Sequence, residues 1–302
     1  MQISTSNFYR QQTDTMQEIN TKIAQLQNQI SSGKKVVVPS DDSVSFSEIA
    51  LQKDLSTRLD QYAKNINMAK QRLSTEDNAI GQTINVMTRI QEISTQSQND
   101  TYSATDRQAM AIEIQNLSDT ILTFANTKHT DGSALFGGYK GDGNAFEKNA
   151  DGSISYHGDD NHVSTVLNET SSLVMNANGN DIYMSIEQKD GVKKPIFESI
   201  NNLIATLKAG NRPTTDQSDE IVKAISHLTY QQTICGARLE RADAEVGINQ
   251  QMKTDTLARL STLEDTDLTS AISEMKQKMN VLEASQSSFV RISQLSLFNY
   301  IK

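Results

Sequence analysis

The sequence contains no tryptophan, one cysteine and only three prolines among its 302 residues. The single cysteine, Cys235, excludes an intramolecular disulfide framework and a cysteine-ligated zinc site. Hydrophobic residues make up 36% of the chain and aromatic residues 5%, which is little for one compact globule of this length. Helices that bury only one stripe of their surface need less apolar mass, so the composition favours thin helical layers.

The sequence also lacks a basic excess and a long apolar run. The net charge of -9 argues against nucleic acid or an anionic membrane as a main partner, because both bind basic surfaces. No stretch approaches the roughly 18 apolar residues of a membrane span. Residues 1–5 lack the charged and apolar regions of a cleaved signal peptide, so we expect any export to use another route.

Glycine divides the chain into a middle segment and two flanks. Nine of the 14 glycines lie between Gly132 and Gly191, in turns such as Gly137-Gly138. Alternating runs at residues 153–156, 163–167 and 181–186 predict strands between these turns, because period-2 alternation suits a half-buried sheet. We therefore predict a small, surface-exposed β-rich insert at about 132–195. We expect it to share no core with the flanks and to be dispensable for assembly.

Both flanks carry apolar residues at the 3-and-4 spacing of coiled-coil helices. The longest such stripe contains Leu55, Leu59, Tyr62, Ile66, Ala69, Leu73, Ile80, Met87 and Ile90. Glu76 and Thr83 interrupt it as polar breaks. The fold class predicted from these patterns is mainly α: a long coiled-coil or helical rod built from both chain ends, with a small β-rich inserted domain.

Two terminal stripes extend this pattern, and we call them together the assembly seam. The assembly seam consists of Met16, Ile19, Ile23, Leu26, Ile30, Leu268, Ile272, Met275, Met279, Leu282 and Phe289. One pair of helices buries a narrow seam against an ordering cost of about 1 to 2 kcal/mol per residue. We therefore expect these helices to be marginal in a free subunit and to become ordered when neighbouring subunits add apolar contacts.

These patterns predict three domains. Residues 1–40 and 263–302 would form a terminal coiled-coil assembly domain, residues 41–131 and 196–262 a helical rod domain, and residues 132–195 the inserted domain.

Local signals predict where the helices begin. Gly33 is placed to end the first helix, and residues 40–45 followed by Glu48 supply capping oxygens for the second. We predict caps at Thr105 or Asp106 for the third helix, at 215 or 216 for the fourth, and at 265 or 266 for the last.

The residues that could carry chemistry form no recognisable active site. His157 and His162 bracket Asp159 and Asp160, the one close cluster of metal-ligand types, but Gly-Asp-Asp-Asn between them is turn chemistry. The glycine-rich stretch 141–144 completes no phosphate-binding pattern. The predicted sites are therefore none for catalysis, none for cofactors and none for metals, and an enzyme carried by the insert stays only a remote alternative.

Both chain ends carry recognisable sequence motifs. Residues 29–35 (Gln-Ile-Ser-Ser-Gly-Lys-Lys) and 39–42 (Pro-Ser-Asp-Asp) resemble the amino-terminal signature of the bacterial flagellin family. Residues 264–267 (Glu-Asp-Thr-Asp) and the closing 292–300 (Ile-Ser-Gln-Leu-Ser-Leu-Phe-Asn-Tyr) are similar to its carboxy-terminal counterpart. Ser43 departs from the pattern, which usually has proline there, and this leaves the start of the second helix open.

The resemblance implies a fold, a function and partners. The terminal helices would pair into an inner coiled-coil layer, with the remaining helices outside it and the insert facing solvent. The function implied is structural: an adaptor ring at the hook-filament junction of the flagellum, required for filament attachment and motility. Its partners would be hook-associated protein 1, flagellin, further copies of itself and an export chaperone before secretion, with neither cofactor nor membrane. The closest alternative is a flagellin filament subunit.

Overall fold

The computed structural model describes residues 2–189 and 191–298, with the side chains of 6–189 and 191–293. Six α-helices account for most of these residues. They are α1 (Gln2–Ser32), α2 (Ser43–Ser97), α3 (Ala104–Ala125), α4 (Ile196–Lys208), α5 (Thr215–Glu264) and α6 (Leu268–Phe298). The protein is thus mainly helical, with long helices at both ends of the chain, as the heptad spacing predicted.

Three short antiparallel hairpins lie between α3 and α4. They pair β1 (Phe146–Lys148) with β2 (Ile154–Tyr156), β3 (Ser164–Val166) with β4 (Ser172–Val174), and β5 (Ile186–Glu187) with β6 (Lys193–Lys194). In the first hairpin Phe146 pairs with Tyr156, and in the second Ser164 pairs with Val174. The small strand-containing middle segment is therefore confirmed.

The chain forms two compact units. Unit 1 contains residues 1–58 and 251–302, and unit 2 contains residues 59–250. Helices α2 and α5 each contribute to both units, because the boundaries fall within them. These limits differ from those of the three domains predicted from the sequence, and that division stays a prediction.

The helices begin within two or three residues of the positions that the sequence indicated, and α2 is capped inside the predicted range. Asp42 Oδ1 accepts the backbone N–H groups of Val44 and Ser45, at 3.0 Å each, and so caps α2. Ser103, and neither of the two residues predicted, caps α3 in a reciprocal capping box with Asp106. The side chain of an N-cap residue must accept from an N–H two or three positions ahead, which places the cap upstream of the first acidic residue.

The remaining starts show the same small offsets. Thr214 and Gln217 exchange side-chain and backbone hydrogen bonds at the start of α5, one residue before the predicted cap. Asp267 accepts the N–H groups of Thr269 and Ser270 at the start of α6, one residue after the predicted range. Gly33 has a φ of 71° directly after α1, which confirms the predicted helix end.

The core of unit 2 follows the heptad stripe of α2. Ile66 and Leu73 are fully buried, in one cluster with Cys235 and Ala242 of α5, while Lys64 is exposed. Cys235 Sγ lies 3.2 Å from the carbonyl oxygen of Leu73 and donates to it. The predicted register of α2 is therefore confirmed, with a free cysteine as a small core residue.

The two polar breaks in the stripe are core residues as well. Glu76 and Thr83 are both fully buried. Thr83 Oγ1 lies 3.3 Å from the phenol oxygen of Tyr183, and Glu76 accepts the N–H of Ala177. Both partners belong to the middle segment, so the polar positions of α2 hold this segment in place.

The middle segment shares its core with the helices, and the expectation of a separate insert core is wrong. Phe136, Phe146 and Tyr183 are buried in the same cluster as Phe197 of α4 and the apolar faces of α2, α3 and α5. The Phe146 ring lies 5.3 Å from that of Tyr183 and 6.1 Å from that of Phe197. These aromatic rings and the helices of unit 2 therefore form one continuous core.

The third predicted strand, 181–186, is also wrong for most of its length. Residues Asn180–Met184 form a π-helical turn, and only Ile186–Glu187 is a strand. Asn178 Oδ1 accepts the N–H of Asp181 at 2.8 Å and starts the turn, which buries Ile182 and Tyr183 together. A local side-chain hydrogen bond therefore outcompetes the strand pattern.

Candidate assembly interface

Unit 1 brings the two ends of the chain together as a helix pair. Helix α1 packs along α6, and the rings of Tyr9 and Phe289 meet edge to face with centroids 5.4 Å apart. Two connections join the segments next to these helices: Lys35 N donates to Glu264 O at 2.7 Å, and Thr266 N donates to Gly33 O at 2.9 Å. The resemblance to a family with paired terminal helices predicted this pairing.

The amino-terminal half of the assembly seam faces α6. Leu26 is buried, and Met16, Ile19, Ile23 and Ile30 are half-buried, while Thr13 and Gln17 are exposed. Among the side chains described in α1, residues 6–32, no large apolar side chain is exposed. The apolar stripe of α1 is therefore covered within unit 1, where α1 packs along α6.

The carboxy-terminal half of the assembly seam divides into two groups. Met275, Leu282 and Phe289 are half-buried and share a face of α6 with the buried Ala271, and this face packs on α1. Leu268, Ile272 and Met279 are exposed, by 47%, 37% and 51%. Eight of the eleven residues of the assembly seam are thus buried or half-buried, and the other three are exposed beside the face that packs on α1.

The exposed apolar residues of α6 form two groups, one on each side of the face that packs on α1. At 100° per residue, Leu268, Ile272, Met279 and Val290 lie on one side of the face that packs on α1, and we call them the first flank. Val281 and Ile292 lie on the other side, and we call them the second flank. The heptad stripe does not include Val281, Val290 and Ile292. The signal that could have indicated them is the apolar width of α6, which exceeds a single heptad stripe.

The two acidic motifs that resemble the flagellin signatures fix the turns beside the helix pair. Asp41 Oδ2 accepts hydrogen bonds from the N–H groups of Val37 and Val38. Its Oδ1 accepts a hydrogen bond from Nε2 of Gln25 in α1. The N–H groups of Val38 and Val37 lower the pKa of Asp41 below its ordinary value. Asp41 therefore stays ionised and ties the segment after α1 back onto that helix.

Glu264 fixes the other turn. Its carboxylate forms ion pairs with Lys34, at 2.6 Å, and with Lys53, at 2.8 Å. Burial favours the neutral acid, but the hydrogen bonds from Lys34 and Lys53 outweigh it and lower the pKa of Glu264 below its ordinary value. One carboxylate thus links the end of α5, the segment after α1 and the start of α2 within unit 1.

The histidine cluster of the middle segment separates into unrelated contacts. His157 Nε2 lies 3.2 Å from Ser155 Oγ and 3.4 Å from Glu147, whereas His162 Nε2 lies 3.7 Å from Asp181. In residues 2–189 and 191–298, no three metal-ligand side chains converge closely enough to hold an ion. No helix in these ranges is both long and apolar enough to cross a lipid bilayer.

Comparison with known proteins agrees with the resemblance of the chain ends. The sequence model of the family described as "Bacterial flagellin N-terminal helical region" matches residues 3–141. The chain is related to the bacterial flagellin family, as its terminal motifs predicted.

Two relatives that align with this chain over nearly their whole length carry a more specific name within the family. The chain is 26% identical to flagellar hook-associated protein 3 of Salmonella typhimurium, over 99% of each chain. It is also 26% identical to flagellar hook-associated protein 3 of Escherichia coli, over 100% of each chain. The crystal structure of flagellar hook-associated protein 3 from Legionella pneumophila shares the fold, with a TM-score of 0.68 and 18% identity over 71% of this chain and 98% of that one.

Proposed function

We propose that the protein is a structural subunit of the bacterial flagellum that joins the hook to the flagellin filament. The observation that carries this proposal is the helix pair of the chain ends, in which α6 leaves apolar side chains uncovered on both flanks. The similarity over the full length to two proteins named flagellar hook-associated protein 3 supports it. We expect the protein to act outside the cell, after export without a cleaved signal peptide, and to catalyse no reaction.

The distribution of side chains on α6 suits a ring of identical subunits. The two flanks border the face that packs on α1, and the face opposite α1 is polar, with Ser273, Asn280 and Arg291. Because α6 is apolar on both sides of the face that packs on α1, it can pack between the α6 helices of two neighbouring copies. We propose that each α6 packs beside the α6 of neighbouring copies, with the polar face turned towards water.

Burial of these apolar side chains against a neighbouring copy would stabilise such a ring. Each large apolar side chain that moves from water to full burial contributes about 1.5 to 3 kcal/mol. The first flank of one copy supplies four apolar side chains, and the second flank of its neighbour supplies two. These side chains are between 37% and 52% exposed in the subunit, so each contributes only the corresponding part of that energy. The further partners in our proposal are hook-associated protein 1 on the hook side, flagellin on the filament side and an export chaperone before secretion.

The proposal can be tested in a strain that lacks the gene. Electron microscopy should show hooks without filaments, with flagellin released into the medium, and the intact gene should restore filaments and swimming. A matched pair of restored strains should carry Lys64→Glu, on an exposed position, and Met279→Glu, on the first flank. We expect the first to swim and the second to resemble the deletion strain.

Two outcomes would overturn the proposal. Normal filaments in the deletion strain would show that the protein is not needed at the junction. Purified full-length protein that polymerises alone into long filaments would identify a filament subunit, which is the alternative that the resemblance left open.

A further inference from the structure

Glu76 is a carboxylate enclosed in the core of unit 2. It occupies a heptad position of α2, and none of its surface is exposed. Each of its two oxygens lies 3.1 Å from the backbone nitrogen of Ala177, the one donor within hydrogen-bonding distance in the part of the chain that the structure describes. One N–H group compensates a full negative charge poorly in a dry environment.

Two arginines near Glu76 direct their donors elsewhere. Arg72, one turn earlier on α2, donates through Nη2 to the carbonyl oxygen of Leu135 at 3.4 Å. Arg238 on α5 donates through Nη1 to the carbonyl oxygen of Asn176 at 3.1 Å. Within the described residues neither guanidinium lies within 4.0 Å of the carboxylate as an ion pair. Both arginines therefore anchor the backbone of the middle segment.

The same cluster holds donors that have no partner. Arg72 Nε and Asn176 Nδ2 are buried, and neither has a hydrogen-bond partner among the described residues. An unmade hydrogen bond of a buried donor costs about 1 to 3 kcal/mol. A negative charge on Glu76 would give these donors an acceptor, so the cluster has reason to rearrange when Glu76 ionises.

We propose that Glu76 is a proton-responsive latch between α2 and the middle segment. While the carboxyl group is neutral, Arg72 holds the Leu135 carbonyl and Arg238 holds the Asn176 carbonyl. When the proton leaves, Arg72 turns to the carboxylate and releases Leu135, which loosens the edge of the middle segment. The proton passes to water, and no covalent bond changes.

The surroundings set the pH at which the latch acts. Burial raises the pKa of Glu76 to about 7, against the opposing effects of the Ala177 N–H, Arg238 and Arg72. The charged and titratable groups that face Glu76 are Arg72 and Asp77 from α2, Arg238 and Cys235 from α5, and Tyr183 from the middle segment. Burial raises the pKa of the Cys235 thiol and of the Tyr183 phenol, so both stay neutral over this range.

Amide exchange of the full-length protein tests the latch. Protection factors, corrected for the intrinsic rate at each pH, should be compared at pH 6 and pH 8 for residues 134–137 and 176–179. We expect protection there to fall about tenfold or more with rising pH in the wild type, since one pKa unit corresponds to a tenfold change. Glu76→Gln should change less than about twofold, and Asp77→Asn, the matched control, should behave as the wild type.

An equal fall in protection in Glu76→Gln would overturn the proposal, because the pH response would then not come from Glu76. A second measurement covers the case in which Glu76→Gln does not fold. In wild-type protein with carbon-13 in its glutamate carboxyl groups, one resonance should titrate near neutral pH. Titration of every glutamate below about pH 5 would also overturn the proposal.

Discussion

The ring of Tyr9 packs on the ring of Phe289 at an interplanar angle of 78°, in the edge-to-face geometry that aromatic pairs prefer. This contact joins a residue near the start of α1 to one near the end of α6, more than twenty residues from the turn anchored by Glu264. Phe289→Ala should therefore open the far part of the helix pair without affecting unit 2.

We expect Phe289→Ala to destabilise the helix pair by about 1 to 2 kcal/mol, since the ring is half-buried and makes one aromatic contact. Amide exchange in residues 6–20 should become faster, while exchange in 59–97 should not change. Val290→Ala, at the exposed neighbouring position, is the control. Equal exchange in the two variants would show that the ring contact contributes nothing to the pair.

Assembly should depend on the first flank of α6 and not on its polar face. Met279→Glu places a charge where we propose that a neighbouring subunit packs, whereas Asn280→Glu places it on the face opposite α1. Both positions are exposed, so melting temperatures should correspond to changes within about 0.5 kcal/mol. Only Met279→Glu should abolish ring assembly and swimming, and assembly of this variant would contradict the proposed packing.

The register of α2 predicts a large difference between two neighbouring positions. Ile66→Asp puts an unpaired charge among fully buried apolar side chains and should cost about 3 to 5 kcal/mol. Lys64→Glu, on the exposed side, should change stability by no more than about 0.5 kcal/mol. Thermal unfolding followed by circular dichroism measures both, and similar melting temperatures would refute the register.

The shared core of unit 2 predicts that the middle segment is needed for folding. Phe136→Ala should cost about 3 to 5 kcal/mol, because the ring is fully buried and packs edge to face on Tyr183. Tyr139→Ala, three residues later and 65% exposed, is the matched control and should be nearly neutral. A dispensable segment would instead make both substitutions harmless, and equilibrium unfolding in urea distinguishes the two cases.

The ion pairs of Glu264 predict a loss of stability in acid. The pKa of Glu264 is lower in the folded protein than its ordinary value of 4.5, so the folded state favours the ionised form. The contribution to stability is therefore present above pH 4.5 and is lost as the pH falls through the lower folded value. The difference in unfolding free energy between the wild type and Glu264→Gln should shrink on acidification, and a constant difference would contradict this account.

The sequence predicted the helices well because their signal is repeated many times. Ile66, Leu73 and their neighbours each mark the same face of α2, so one polar residue such as Glu76 could not hide the period. The same repetition led us to treat Glu76 and Thr83 as interruptions. Their burial depends on partners about 100 residues away, Ala177 and Tyr183, which no local pattern specifies.

The middle segment was harder to predict, because its local structure depends on single hydrogen bonds and not on a repeated pattern. Residues 181–186 alternate as a strand would, yet one hydrogen bond from the Asp181 N–H to Asn178 starts a π-helical turn over residues 180–184. The exposed flank residues of α6 posed a different difficulty. A heptad pattern gives the apolar positions of a helix but cannot divide them between a partner in the same chain and a partner in the next.

The burial of Cys235 gives unit 2 a built-in reporter of its own opening. Its sulfur lies against the Leu73 carbonyl at the centre of the core, and the chain has no other thiol. Burial also raises the pKa of this thiol, so the reactive thiolate forms only when α2 and α5 separate. The rate at which a thiol reagent labels Cys235 in the native protein therefore measures how often unit 2 opens, and no engineered cysteine is needed.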